Sequence, residues 1–160
     1  MLRQTLFTLL LLTGLLGAHN VHLTLPDGWE CVTDMAQLPK KVKMIAIGQS
    51  SSKFTPSINL ATEETDLDIQ EYVDTAKMYH ESEPETEVTY MGRIPTKSGN
   101  AFLLQIDRRT DWGIVRFMQA ALIDEETAYV VTATCLRDEF ANYCGRFFDS
   151  IKSFEIDKKD

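Results

Sequence analysis

The chain has 160 residues, with 16 basic and 24 acidic side chains and a formal net charge of −8. That length fits one domain with a sizeable core, and 44% apolar with 25% charged residues excludes a disordered or fibrous protein. The acidic balance argues against nucleic-acid and anionic-membrane partners, which need a dense positive field, and three histidines with three cysteines leave few metal or nucleophile constellations.

At the N-terminus Arg3 precedes an apolar run from Leu6 to Leu16. As a helix it would span about 16 Å, roughly half a bilayer core, so residues 1–18 read as a secretory signal peptide. Cleavage is expected after Ala18 or after His19. No cysteine follows the run to carry a lipid, and no later stretch reaches membrane length. Residues 19–160 are then a single exported domain, whose formal charge without Arg3 is −8 − 1 = −9.

Leu23 to Glu30 reads as an extended piece with a turn at Pro26-Asp27-Gly28 and a strand starting at Trp29. Val42–Gly48 and Ser57–Glu63 are strands, separated by the serine-rich loop Gln49–Lys53. Asp68–His80 is a helix, because Ile69, Tyr72, Val73, Ala76 and Tyr79 recur at spacings of three and four. Thr65 with Asp68 suggests a capping box. The acidic run Glu81–Glu87 is the solvated link after it.

From Glu87 the period becomes two. Val88–Ile94, Asn100–Arg108, Trp112–Ile123 and Thr127–Cys135 are expected strands, joined by links too short for parallel crossovers. They form an antiparallel meander. Trp112–Ile123 is apolar in both alternating sets, which requires cover on both faces. Asp138 can cap a last helix with the stripe Phe140, Cys144, Phe147 and Ile151, and Ser153–Ile156 offers a final short strand. The expected fold class is α+β, an antiparallel meander sheet of about six strands with helices packed on both faces.

Leu25-Pro26-Asp27-Gly28-Trp29, Phe54-Thr55-Pro56-Ser57-Ile58-Asn59-Leu60, Glu71-Tyr72-Val73, Gly99-Asn100-Ala101 and Phe147 through Ser153-Phe154 resemble the PsbP-like superfamily over nearly the whole chain after the leader. That group includes the photosystem II subunit PsbP, the bacterial envelope protein DcrB and a yeast Ran-binding factor. The resemblance implies an antiparallel sheet flanked by helices. It hosts unrelated functions and so implies no activity by itself. None of the functional residues of the photosystem or Ran-binding members has a match here. The leader fits the bacterial envelope branch.

Candidate chemistry is sparse. A terminal His19, or Asn20-Val21-His22 after the alternative cut, would chelate copper, but a frayed terminus is the simpler reading. No metal or cofactor is expected. His80 ends a helix beside Glu81, and Ser50-Ser51-Ser52 lacks the glycines of a nucleophile elbow. Asp107 and Asp111 read as turn formers. Arg108, Arg109, Trp112 and Arg116 form the one basic-aromatic concentration, suited to an acidic partner or ligand, or else simply a solvated hairpin end. In an oxidising compartment one disulfide is expected from three cysteines. Cys135 with Cys144 is the favoured pair, and Cys31 is the odd thiol.

The sequence thus points to an exported, periplasmic or secreted, non-enzymatic accessory or binding module of a bacterial envelope. Its partner would be an envelope protein or an acidic ligand. The rivals are a small secreted hydrolase, which would need a pocket with convergent ionisable groups, and a structural envelope component.

Overall fold

The computed structural model describes residues 20–32, 34, 36–50 and 52–158. The leader and its cleavage site lie outside the described residues. Among these residues nine strands and two α-helices follow in chain order: β1 Val21–His22, β2 Glu30–Val32, β3 Val42–Ile47, β4 Ser57–Glu64, α1 Ile69–Ser82, β5 Thr86–Thr96, β6 Gly99–Thr110, β7 Gly113–Asp124, β8 Thr127–Leu136, α2 Phe140–Lys152 and β9 Glu155–Ile156. The main sheet has seven antiparallel strands in the order β2-β3-β4-β8-β7-β6-β5. The meander from β5 to β8 forms as the short links require. The count exceeds the expected six, and β9 leaves the main sheet to pair with β1.

Alternating side chains sort into two cores. Ala101 and Leu103 of β6, with Met118, Ala120, Val131 and Ala133, cluster with Phe147 and Ile151 of α2. Phe102, Leu104 and Ile106 of the same strand cluster instead with Val73 of α1. Successive residues of a strand point to opposite faces, so the stretch Ala101–Leu104 of β6 is apolar at every position because each set meets a different helix. β7 follows the same logic, Met118 and Ala120 in one cluster and Phe117 and Ala121 in the other.

Local chemistry sets the ends of α1. Asp68 is the N-cap: its carboxylate accepts from the Glu71 N–H at 2.9 Å, and the Glu71 side chain accepts from the Asp68 N–H at 3.3 Å. The capping box is therefore Asp68 with Glu71, one register later than Thr65 with Asp68. Thr65 instead accepts from the Leu67 N–H at 3.2 Å. Tyr72 donates to Glu63 at 3.2 Å, and Lys41 pairs with the same carboxylate at 2.6 Å. The tyrosine bond ties α1 to β4, and the lysine bond ties the residue before β3 to the same strand.

α2 enters through a 3-10 turn at Arg137–Glu139 and has no side-chain cap, so Asp138 does not serve as one. Its buried stripe is Phe147, Ser150 and Ile151, with Phe140, Tyr143 and Phe148 packed around it. Tyr143 stacks on Phe147 with centroids 5.9 Å apart. Cys144 sits on the rim of this stripe and is half-buried. Trp29 meets Phe147 edge-on at 6.2 Å. Gly48 makes room for that tryptophan, since a Cβ there would lie 2.7 Å from its ring.

The three cysteines are free thiols in the structure. The expected Cys135–Cys144 bond is not formed. Cys135 lies fully buried in β8 under α2, while the Cys144 thiol turns to the Ala141 carbonyl at 3.7 Å. Burial explains why Cys135 stays a thiol rather than a thiolate: it is pushed up to about 12, mainly by desolvation and then by the Glu139 charge.

Candidate functional site

The β6–β7 hairpin closes on Asp111-Trp112, with Thr110 opposite Gly113. The Thr110 hydroxyl accepts from the Trp112 N–H at 3.2 Å and donates to the Gly113 carbonyl at 2.9 Å. Gly113 holds φ 119°, a value a side chain would resist. This register places Asp107 opposite Arg116 and Arg108 opposite Val115. It therefore divides the four residues that the sequence had grouped.

Arg116 points to the α2 side. Its Nε and Nη2 donate to both Asp107 oxygens at 2.8 and 2.7 Å, and its guanidinium lies 5.0 Å from the Phe140 ring centre. With side-chain exposures of 17% and 11% the pair is largely shielded from water. The hydrogen bonds it donates to Asp107 raise the Arg116 pKa. Arg116 is thus committed to a strand-to-strand pair, and Asp107 is its partner rather than a turn former.

Arg109 shares that side but is exposed. It borders an open groove with Arg137 and the carboxylates Glu81, Glu83, Glu85, Glu87 and Asp107. The Glu85 carbonyl accepts from the Arg109 N–H at 3.1 Å, and Glu85 holds a positive φ of 54° at this turn. Trp112 stands at the hairpin tip, 58% exposed, with its ring 6.0 Å from that of Phe54.

Arg108 points to the α1 side. Its Nε donates to the Thr86 hydroxyl at 3.1 Å, and its guanidinium lies 5.9 Å from the Phe117 ring centre. It is half-buried, yet among the described residues no carboxylate lies in ion-pair distance of it. His80, in the last turn of α1, has its pKa held below the ordinary histidine value by burial and then by the Arg108 charge. Gln119 of β7 and Glu83 oppose that shift. The Gln119 amide donates onward to Thr132 at 3.3 Å. His80 lies in the last turn of α1, as its reading as a helix-end residue expected.

The other candidates are accounted for locally. Ser50 and Ser52 hydrogen-bond to the Phe54 carbonyl at 2.6 and 3.1 Å and so close their own loop. His22 bonds to Asp157 at 2.7 Å, joining β1 to the end of β9. Among the described residues no group of three or more His, Cys, Asp and Glu side chains is placed to hold a metal ion. No described helix is long and apolar enough to cross a membrane. Between the sheet and α2, the gap bounded by Ala101, Ala120, Tyr129, Ile151 and Phe154 admits no water molecule.

The fold has solved counterparts. LpqN of Mycobacterium tuberculosis, described as involved in cell envelope biogenesis, matches with a TM-score of 0.66 at 16% identity over 89% of this chain and 86% of its own. The cyanobacterial PsbP of Synechocystis matches with a TM-score of 0.59 at 10% identity over 91% and 97%. PA94 of Pseudomonas aeruginosa, a protein to which no function is assigned, matches at 0.60 and 12% identity over 90% and 100%. The chain therefore has the PsbP-like fold. No family model and no curated protein matches its sequence.

Proposed function

We propose that this chain is an exported, non-catalytic accessory module of a bacterial envelope that works by holding a partner through an acidic group. The observation that carries the reading is Arg108, a half-buried guanidinium fixed by Thr86 and Phe117 without a carboxylate among the described residues. A cation kept fixed and unneutralised in an acidic molecule is matched by an anion from outside it. Arg109 and Trp112 stand at the same hairpin end and extend the contact. Arg116 acts indirectly by holding the register that aims Arg108. The envelope setting draws on the N-terminal leader and on the fold shared with LpqN, whose description names cell envelope biogenesis.

Capture of partners from the native envelope by the exported chain tests this reading. Arg108→Ala is expected to weaken the captured partner, and Arg109→Ala to weaken it less. Capture by the unaltered chain should decline as salt is raised. A partner held equally well by the Arg108→Ala, Arg109→Ala double variant places the contact elsewhere. A turnover on any substrate, abolished by one substitution away from this hairpin, overturns the non-catalytic assignment.

A further inference from the structure

We infer that the first half of β5 is a docking edge, to which an extended segment of a partner with alternating apolar and basic residues adds as a further strand. The inference goes beyond the contact proposed for Arg108 and does not depend on it. β5 is the last strand at one end of the seven-stranded sheet. The Arg109 N–H bonds to the Glu85 carbonyl at 3.1 Å, and antiparallel bonding alternates from there along the register Glu87↔Asp107 and Thr89↔Gln105. Glu87 and Thr89 therefore direct their backbone groups at β6, while Thr86, Val88 and Tyr90 direct theirs out of the sheet. Among the described residues no hydrogen bond reaches these outward N–H and C=O groups. A row of unpaired donors and acceptors is a template for another strand.

The rest of the edge is blunted. The register shifts between Tyr90 and Gly92, with Gly92 at φ 90°, and Pro95 has no N–H to offer. At the opposite end of the sheet β2 has only 3 residues. Thr86–Tyr90 is left as the open window, and its threonines, valine and tyrosine suit a strand.

The two faces of this window set the chemistry of the occupant. Val88 packs on the α1-side core, and the Tyr90 ring, 48% of the residue being exposed, lies 5.9 Å from Phe102 of that core. Apolar side chains opposite Val88 and Tyr90 extend this surface. Glu87 faces the other side and is exposed. Among the described residues Glu83, Glu85 and Glu87 have no cation in ion-pair distance, whereas Lys77 holds Glu81 and Arg116 holds Asp107. Arg109 belongs to β6, one strand spacing of about 4.8 Å further from an added segment, so the glutamates dominate the field at the edge. A Lys or Arg opposite Glu87 meets it at a non-hydrogen-bonded position, where cross-strand side chains approach most closely. A second copy of this chain would bring its own Glu85 and Glu87 to the same edge, and like charges on facing strands repel.

The test is NMR amide exchange of the full exported chain with three probes: a blocked hexapeptide alternating valine and lysine, its valine–glutamate counterpart, and the valine–lysine peptide N-methylated at its valines. The valine–lysine peptide is expected to slow exchange at Val88 and Tyr90, whose amides are unbonded in the free chain, and to change Glu87 and Thr89 least. The valine–glutamate peptide should bind about fivefold or more weakly, because like charges replace opposite ones, and the N-methylated peptide should not bind. Glu87→Lys should reverse the preference between the lysine and glutamate peptides while the unfolding midpoint stays in place. Exchange at Val88 and Tyr90 unmoved by saturating valine–lysine peptide overturns the inference, as does equal binding of either control peptide or an unchanged preference in Glu87→Lys. Protection of the same amides that grows with protein concentration in the absence of peptide also overturns it, because a second copy is then the occupant. None of these outcomes bears on Arg108, whose role is decided by partner capture.

Discussion

Asp107 and Arg116 show what a single cross-strand pair secures. Both oxygens and two guanidinium nitrogens are matched, and both side chains are mostly shielded. Removing one partner leaves the other charge without compensation in a poorly hydrated place. Asp107→Asn is therefore expected to lower stability by about 2–3 kcal/mol, somewhat less than the full loss for a deeply buried pair, as read from denaturant unfolding. Gly48→Ala should be destabilising for a different reason, since its Cβ would collide with Trp29 in a packed core. The thiols differ by environment. Under mild alkylation at about pH 8, Cys144 is expected to react first, while Cys135, pushed up to about 12, stays unmodified until the chain unfolds. Modification of native Cys135 would mean that the β8–α2 contact opens readily.

At the scale of elements, α1 depends on its cap and on its cross-links. Asp68→Ala removes the carboxylate of the Asp68–Glu71 box and should cost about 1 kcal/mol, measured by thermal or denaturant unfolding. Tyr72 donates to Glu63, and burial followed by the Glu63 charge pushes its phenol up to about 12. Glu63 is held below the usual carboxylate range, first by its hydrogen bond to Lys41. A depressed carboxylate contributes stability that is present above its unfolded pKa and lost as the pH falls through its folded value. His80 has the same sign, because its folded pKa is also depressed. The neutral ring is the native form, and stability falls as the pH drops below about 6.5, the unfolded value. The protection of α1 amides, after correction for the slower intrinsic exchange at lower pH, should thus fall on mild acidification, and His80→Gln should flatten that response. The helix itself was legible from the spacing of Ile69, Val73 and Ala76. The cap was misplaced because Thr65 and Asp68 satisfy the same sequence pattern as Asp68 and Glu71, and only backbone geometry decides between them.

The whole molecule is held together by contacts far apart in sequence. β4 and β8 are neighbours although α1 and three strands intervene, and their pairing joins the N-terminal strands to the meander. β1 and β9 bring the two ends of the described chain together, reinforced by the Asp157 N–H bond to the Asn20 carbonyl at 2.7 Å. Val21, Leu23, Phe154 and Ile156 are buried in the α2-side core. Deleting residues 153–160 should therefore destabilise the whole domain rather than fray one end, with a single shifted unfolding transition as the readout. The sequence by itself determined the helices, the meander and the two-sided burial of β7, because periodicity and short links are local properties that survive without tertiary context. It also contained the Asp107–Arg116 pair, hidden by placing the hairpin turn at residues 109–111 instead of Asp111-Trp112. A small shift in register exchanges the partner of every residue in the hairpin. The tertiary structure alone decided that β9 pairs with β1, that Cys135 and Cys144 remain unbonded, and that Arg116 packs on Phe140 while Arg108 lies over Phe117. Each of those outcomes depends on where one layer crosses another, and that position is set by packing two cores at once, which no local pattern encodes.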